Sequence, residues 1–394
     1  MRFGDLHLTY CMNVHPTGNF EDLLHTLREV VLPLKEDFSP DLPFGLGLWI
    51  PGAEAAEVLR RIGELQEFLR RHGLYVFTMN GFPYGTFHGT RVKEQVHHPD
   101  WRTRDRVEYT LRLAQILATL LPDGVQGSIS TSPLSYRTWV DGHDAAVWTN
   151  LLEHLLEVVV ELHRLRTEQG KTVVLCLEPE PDGLLGTTAE LLDFAEDHLL
   201  SSGVQRLSTL LNVAEGEART VLLRHLGGCL DTCHLAVGYE KPLQVLQRYR
   251  DIGFQVGKIQ LSSALKVTLP QDRSPLREAL QSLDDPTYLH QVVALRQSGD
   301  VQGYQDLPSA LQHLDDPAAV EWRVHFHVPL FVEHFGKLTS TQQELREVLN
   351  TLPLWQCNHL EVETYTWQVL PEGMRLPLRE SLLRELRWVQ RVLT

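Results

Sequence analysis

The sequence predicts an α/β fold, a (β/α)8 barrel of the TIM-barrel kind with an insertion after its seventh strand, and three observations carry that reading. Eight short apolar runs recur along the 394 residues. Most are separated by a helix-forming stretch and lack tight hairpin signals, so parallel pairing with helices outside is expected. Polar residues gather where each run passes into its loop, the face on which such barrels carry chemistry. No G-x-G-x-x-G follows an early strand, which disfavours an open doubly wound sheet.

Residues 6–13 are β-rich and apolar, His15-Pro16-Thr17-Gly18-Asn19 breaks the run, and 20–34 has helical spacing through Phe20, Leu23, Leu24, Leu27, Val30 and Val31. The pattern repeats with a strand over 44–50, a Pro51-Gly52 turn, an amphipathic helix over 53–72 closed by Gly73, and a strand over 74–80. A polar loop over 81–103 holds His88, His97 and His98, which read as solvated, and a helix over 104–121 follows. Strand four is 127–132, the helix over 144–169 ends at Gly170, and strand five, 171–177, runs into Glu178-Pro179-Glu180-Pro181. Thr187 and Glu190 form a capping pair that opens a helix to about residue 200. Strand six, 228–234, ends in Asp231 and His234; strand seven is 257–263, after a helix over 243–252. Strand eight is 358–365, and a helix over 379–392 closes the pattern.

Residues 264–319 exceed what a crossover needs. With helical pieces such as 288–296 they read as an inserted cover within one domain over 1–394. They lead into Trp322-Arg323-Val324-His325-Phe326-His327, whose alternation aims both imidazoles to one side.

An apolar content of 43% allows a large core, and the net charge of −15 repels phosphate backbones, so a nucleic-acid partner is not expected. Five cysteines, sparse and odd in number, suit reduced buried thiols rather than a disulfide framework. With no leader-like start and no apolar run of about 18 residues, a cytoplasmic location without a transmembrane segment is the expectation. No pattern selects an oligomeric state.

The strand ends offer Asn13, His15, Asn80, Ser130, Ser132, Glu178 or Glu180, Asp231, His234, Gln260, His325, His327, and Glu361 or Glu363. An Asp at the tip of an apolar strand is expensive unless a cation or a hydrogen bond meets it; a helix N-cap beside a solvated His is the alternative. Mixed oxygen and nitrogen donors suit a divalent ion such as Mn, Mg, Co or Zn. Cys233 reads as a small buried hydrophobe, and Lys258 as a buried base or, the favoured reading, a chain snorkelling outward.

Leu177-Glu178-Pro179, Leu230-Asp231-Thr232-Cys233-His234, Lys258-Ile259-Gln260-Leu261-Ser262, His325-x-His327 and Val362-Glu363-Thr364 occur in an order that resembles the xylose-isomerase-like barrel superfamily of sugar isomerases, epimerases and apurinic-site endonucleases. Within it, Tyr10-Cys11-x-Asn13-Val14-His15-Pro16, Leu177-Glu178-Pro179-Glu180-Pro181 and Glu363-Thr364-Tyr365-Thr366-Trp367 look like the EboE group of metabolite-traffic proteins. The resemblance selects Glu178 over Glu180 and Glu363 over Glu361. It implies a single divalent ion held by Glu178, Asp231, Gln260 and Glu363, with Gln260 standing where most relatives have His. Glu178 and Glu363 would also move protons, and Asn13, His15, Asn80, His234, His325 and His327 would contact the substrate. Asn80 and Ser130 or Ser132 stand where the endonucleases need His, so a trinuclear zinc cluster is not implied. The expected function is isomerase or epimerase chemistry on a small, sugar-like metabolite. The alternatives are a traffic protein that supports export of such a molecule and a metal-dependent phosphodiesterase.

Overall fold

The computed structural model describes residues 1–85, 93–283, 288–365, 367 and 376–394. Eight strands form its centre: β1 Leu6–Tyr10, β2 Phe44–Trp49, β3 Leu74–Asn80, β4 Gly127–Thr131, β5 Val173–Leu177, β6 Leu226–Asp231, β7 Gln255–Leu261 and β8 His359–Val362. Each pairs in parallel with the next from β2 to β8, and β8 pairs in parallel with β1. A parallel bridge between Cys11 and Gly47 closes the ring, reinforced by Thr9 Oγ1 donating to Gly45 O at 2.9 Å. The expected (β/α)8 barrel is what forms.

Helices wrap the ring where apolar residues recur at helical spacing. Ala145–Gln169 starts at Asp144, whose side chain accepts from Ala146 N, and stops at Gly170 in the left-handed region at φ 69°. Phe20–Phe38 is one helical run with a π-turn over Leu27–Val31. Pro33 supplies no N–H to the turn behind it, and the widened turn precedes it directly. The helix expected over 53–72 is split at Arg61 into Ala55–Arg60 and Ile62–Arg71. Arg61 leaves the helical region to pair with Glu21 and Glu64.

The barrel interior is polar, because period-2 alternation sends His7 and Thr9, Thr78 and Asn80, Ser128 and Ser130, Lys258 and Gln260, and His359 and Glu361 to one side of their strands. Each of these side chains is buried. Lys258 is among them, contrary to the outward reading: it shares the face of Gln260, and its ammonium pairs with Glu361 at 2.6 Å with both side chains fully buried.

After β7 the chain builds a second, antiparallel sheet. Its spatial order is Val301–Tyr304, Val292–Arg296, Ala319–Val324, Leu265–Thr268, Leu338–Ser340, His334–Phe335. The helical reading of 288–296 is wrong. Val292–Arg296 is a strand, with Val292 and Ala294 buried and Val293 half-buried between them. Gly299, at φ 90°, turns it into Val301–Tyr304. The sheet and its helices Ser274–Gln281 and Leu307–Leu311 enclose a core of their own around Val267, Leu280, Val292 and Trp322, separate from the barrel core.

Candidate metal centre at the strand-end mouth

Strand β6 ends at Asp231, and the chain turns at once into a short helix, Thr232–Val237. Asp231 caps it: Oδ1 accepts from Cys233 N at 2.7 Å, His234 N at 3.1 Å and Ser262 Oγ at 2.6 Å. The N-cap alternative therefore holds for half of this carboxylate, while His234 is buried on the helix's first turn and not solvated. Asp231 Oδ2 faces Gln260 Nε2 at 3.4 Å.

Around that amide stand the carboxylates. Gln260 Nε2 donates to Glu178 Oε1 at 3.0 Å and to Glu363 Oε2, and its Oε1 accepts from Cys229 Sγ at 2.9 Å. Gln260 thus turns its NH2, not its oxygen, toward the three carboxylates. Glu363 Oε1 also accepts from Asn80 Nδ2 at 2.9 Å and Asn13 Nδ2 at 3.2 Å. One oxygen from each of Glu178, Asp231 and Glu363 lies within 4.8 Å of the others, all buried. Burial first, then the neighbouring negative charge, pushes the Glu178 and Glu363 carboxyls well above the ordinary range. Burial opposes ionisation of Asp231 as well, but His234, His327 and the Ser262 and His234 hydrogen bonds outweigh it and hold this group low.

Beside the carboxylates, three imidazoles converge. His234 Nδ1 meets Pro179 O at 2.9 Å, His325 Nδ1 meets Gln291 Oε1 at 2.7 Å, and His327 Nδ1 meets Glu363 O at 2.6 Å. Each acceptor is an oxygen that needs a hydrogen, so each Nδ1 carries it and each Nε2 presents a lone pair. Those lone pairs face one another: His234 Nε2 to His325 Nε2 is 3.1 Å and His325 Nε2 to His327 Nε2 is 3.3 Å. Burial first, then neighbouring imidazoles, keeps His325 well below its usual value, and burial takes His327 down to about 4, so both stay neutral. Ring nitrogens this close share either a proton or a cation. A tetrahedral ion with metal–nitrogen bonds of about 2.0–2.1 Å spaces its ligands about 3.3–3.4 Å apart, close to the two contacts that His325 Nε2 makes. Carbonyl and amide oxygens behind each ring are the outer partners that metal-binding histidines take. Asp231 belongs to both sets, since it also groups with His234 and His327.

The remaining expected residues divide. Asn13, Asn80, His234, His325 and His327 line a cavity of about 50 Å3 together with Glu178, Glu180 and Glu363. His15 sits apart, its Nε2 2.9 Å from the Tyr10 hydroxyl. Glu361 belongs to the layer below, with Lys258, which also reaches Ser130 Oγ at 3.1 Å. His97 is fully buried rather than solvated, its Nε2 3.6 Å from Glu180 Oε2. His88 lies outside the described residues. Gln291, Ser262 and His97 are the participants that sequence reasoning missed. Gln291 lies within 288–296, the stretch read as helical, and His97 carries no periodic signal.

Fold and site together define a class: a parallel eight-stranded barrel with a buried carboxylate and imidazole centre at its strand-end mouth. No family model and no curated protein matches the chain. Solved structures do. An IOLI protein described with a binding zinc atom is 13% identical over 98% of each chain at a TM-score of 0.45. A xylose isomerase domain protein from Alicyclobacillus acidocaldarius subsp. acidocaldarius is 14% identical over 98% of each chain, also at 0.45. A D-tagatose 3-epimerase-like protein is 13% identical over 65% of this chain and 75% of its own, at 0.40. At these scores the barrel rests on its own strand pairing and the chemistry on its own residues.

Proposed function

We infer that this barrel is a divalent-metal-dependent enzyme for a small, sugar-like metabolite, with isomerase or epimerase chemistry by carboxylate proton transfer. The observation that carries the reading is the buried meeting of Glu178, Asp231 and Glu363 beside the converging His234, His325 and His327. Buried carboxylates in contact take up a proton or share a cation. Glu178, Asp231 and Glu363, with Gln260 turned over to offer its oxygen, form one donor set; the three imidazoles with Asp231 form the other. A bound divalent ion supplies Lewis acidity toward a carbonyl or hydroxyl oxygen. Of the chain's own groups, one of Glu178 and Glu363 takes the proton from the carbon next to the carbonyl, and that carboxyl or the one opposite returns a proton to the neighbouring carbon or to the other face. A carboxylate held beside the reacting carbons is a suitable general acid and base. Asn13 and Asn80 fix the orientation of Glu363.

The imidazole trio favours a second reading, metal-assisted hydrolysis of a phosphodiester, because two adjoining donor sets can hold two ions. The export-support reading rests on the EboE-like motifs alone and differs in turnover. Elemental analysis of the purified protein, followed by incubation with a panel of aldoses and ketoses in deuterated water, tests the leading reading. Deuterium at the carbon next to the carbonyl, dependent on metal and lost in Glu363→Gln, is expected. Metal-loaded protein that exchanges no proton in any of them but cleaves a bis(nitrophenyl) phosphate would replace it with the second reading.

A further inference from the structure

We propose that His97 and Glu180 form a recognition pair that takes one hydroxyl group of the substrate. The inference rests on the small polyhydroxylated substrate argued above and names where one of its hydroxyls sits. His97 ends the helical turn Lys93–His97 and is fully buried, walled by Phe82 at 5.3 Å and Tyr136 at 5.1 Å between ring centres. Neither of its ring nitrogens, nor Glu180 Oε2, has a hydrogen-bond partner among the described residues. A buried polar atom in that condition is destabilising. Two such atoms facing each other leave a donor and an acceptor open to one ligand group.

The two atoms are 3.6 Å apart, too far to bond directly, and Glu180 lines the same small cavity as Glu178, His234 and Glu363. Its other oxygen stands 3.9 Å from His325 Nδ1, so Glu180 spans from the His97 wall to the imidazole trio. The loop that carries it is fixed: Glu180 N donates to Leu185 O at 3.2 Å and Gly183 N donates to Glu180 O at 2.9 Å. The chemistry selects the ligand group. A hydroxyl can donate its proton to Glu180 Oε2 and accept the Nε2–H of His97 at once. A carbonyl cannot donate to the carboxylate, and an ammonium cannot accept from the imidazole.

The test uses metal-loaded protein and titration calorimetry with a probe panel of D-xylulose, D-fructose, D-tagatose and myo-inositol, each beside its monodeoxy analogues. Wild type should bind at least one probe. His97→Phe and Glu180→Gln should each weaken that probe at least tenfold, His97→Asn should recover part of the loss through its side-chain NH2, and one deoxy analogue should bind all four proteins alike. Equal affinity of wild type and both variants for the parent probe would overturn the pair while leaving the metal-dependent reading intact. Loss of metal from Glu180→Gln would also overturn it, by making Glu180 a ligand. Failure of wild type to bind any probe would overturn the substrate class itself, and this inference with it.

Discussion

Asp231 does two jobs with its two oxygens. Oδ1 caps the helix Thr232–Val237 and Oδ2 turns to the centre, so the two roles separate by substitution. Asp231→Asn keeps an acceptor for the cap but removes one of the three carboxylates of the donor set. It should fold with near-normal stability and lose its metal. Asp231→Ala should lose both, at a further cost of about 1 kcal/mol for the cap. Elemental analysis with urea denaturation reads both quantities, and an Asn variant with full metal content would refute the ligand assignment. One layer down, Lys258 and Glu361 are a fully buried ion pair. Burial works against the Lys258 charge, but Glu361 outweighs it and raises the ammonium's proton affinity. Lys258→Met should destabilise by about 3–5 kcal/mol, because Glu361 is left buried and alone, and adding Glu361→Leu should recover much of that. Gly47 makes the room: a Cβ there would stand 1.8 Å from Glu361 Oε1, so Gly47→Ala should be as damaging as overpacking in a core, about 1–3 kcal/mol. Chemical denaturation of the three variants decides, and a stable Lys258→Met single variant would contradict the pairing argument.

The terminal helix, Leu378–Leu393, acts on the site through Glu385, whose Oε1 accepts from Leu330 N at 3.0 Å and Thr364 Oγ1 at 2.7 Å. It thereby ties the residue after Glu363 to the segment that follows His327. Burial pushes this carboxyl up to about 8, against an unfolded value near 4.5, so the folded protein holds a proton there that the unfolded chain releases. Its contribution to stability is full below about pH 4.5 and is lost as pH rises through about 8. Glu385→Gln should flatten that decline in a pH series of denaturation curves; an unchanged slope would show that the carboxyl does not titrate in this window. Elements of this kind mark the boundary of what sequence shows. The strands were legible because apolar runs and strand-end polar residues have a period, and the same alternation places Lys258 beside Gln260 and Glu361 beside Glu363. The inserted strand Val292–Arg296 was not, since Val-Val-Ala-Leu-Arg fits a helix face as well as a pleat until Gly299 and Val301–Tyr304 supply its hairpin partner. His97 lies in a loop, where burial follows from tertiary packing alone. The imidazole trio was legible as residues but not as a centre, because only the carbonyls behind each ring decide which nitrogens meet.

The two large hydrophobic cores, one in the barrel and one in the inserted sheet, both pack against Phe331, and the candidate centre lies across their junction. The barrel provides His234; His325 and His327 follow the inserted strand Ala319–Val324, and Gln291, which holds His325, precedes Val292–Arg296. Polar contacts join the two bodies elsewhere, with Arg323 Nη1 donating to Ala236 O at 2.7 Å and its guanidinium lying 4.1 Å above the Tyr239 ring. A shared ion would therefore add a cross-link between bodies that otherwise have separate cores, and any ligand bound only by the docked arrangement stabilises that arrangement by mass action. Zinc at about 100 times its dissociation constant should contribute about 2.7 kcal/mol against undocking. Hydrogen exchange in Val292–Arg296 and Ala319–Val324 should slow on addition of Zn2+, with a matching rise in Tm. His234→Ala should abolish that protection although it alters no residue of the inserted sheet, whereas Glu178→Gln, on the carboxylate side, should leave most of it. Zinc that binds without slowing exchange in the inserted strands would place the ion wholly within the barrel and remove the imidazole trio from the centre.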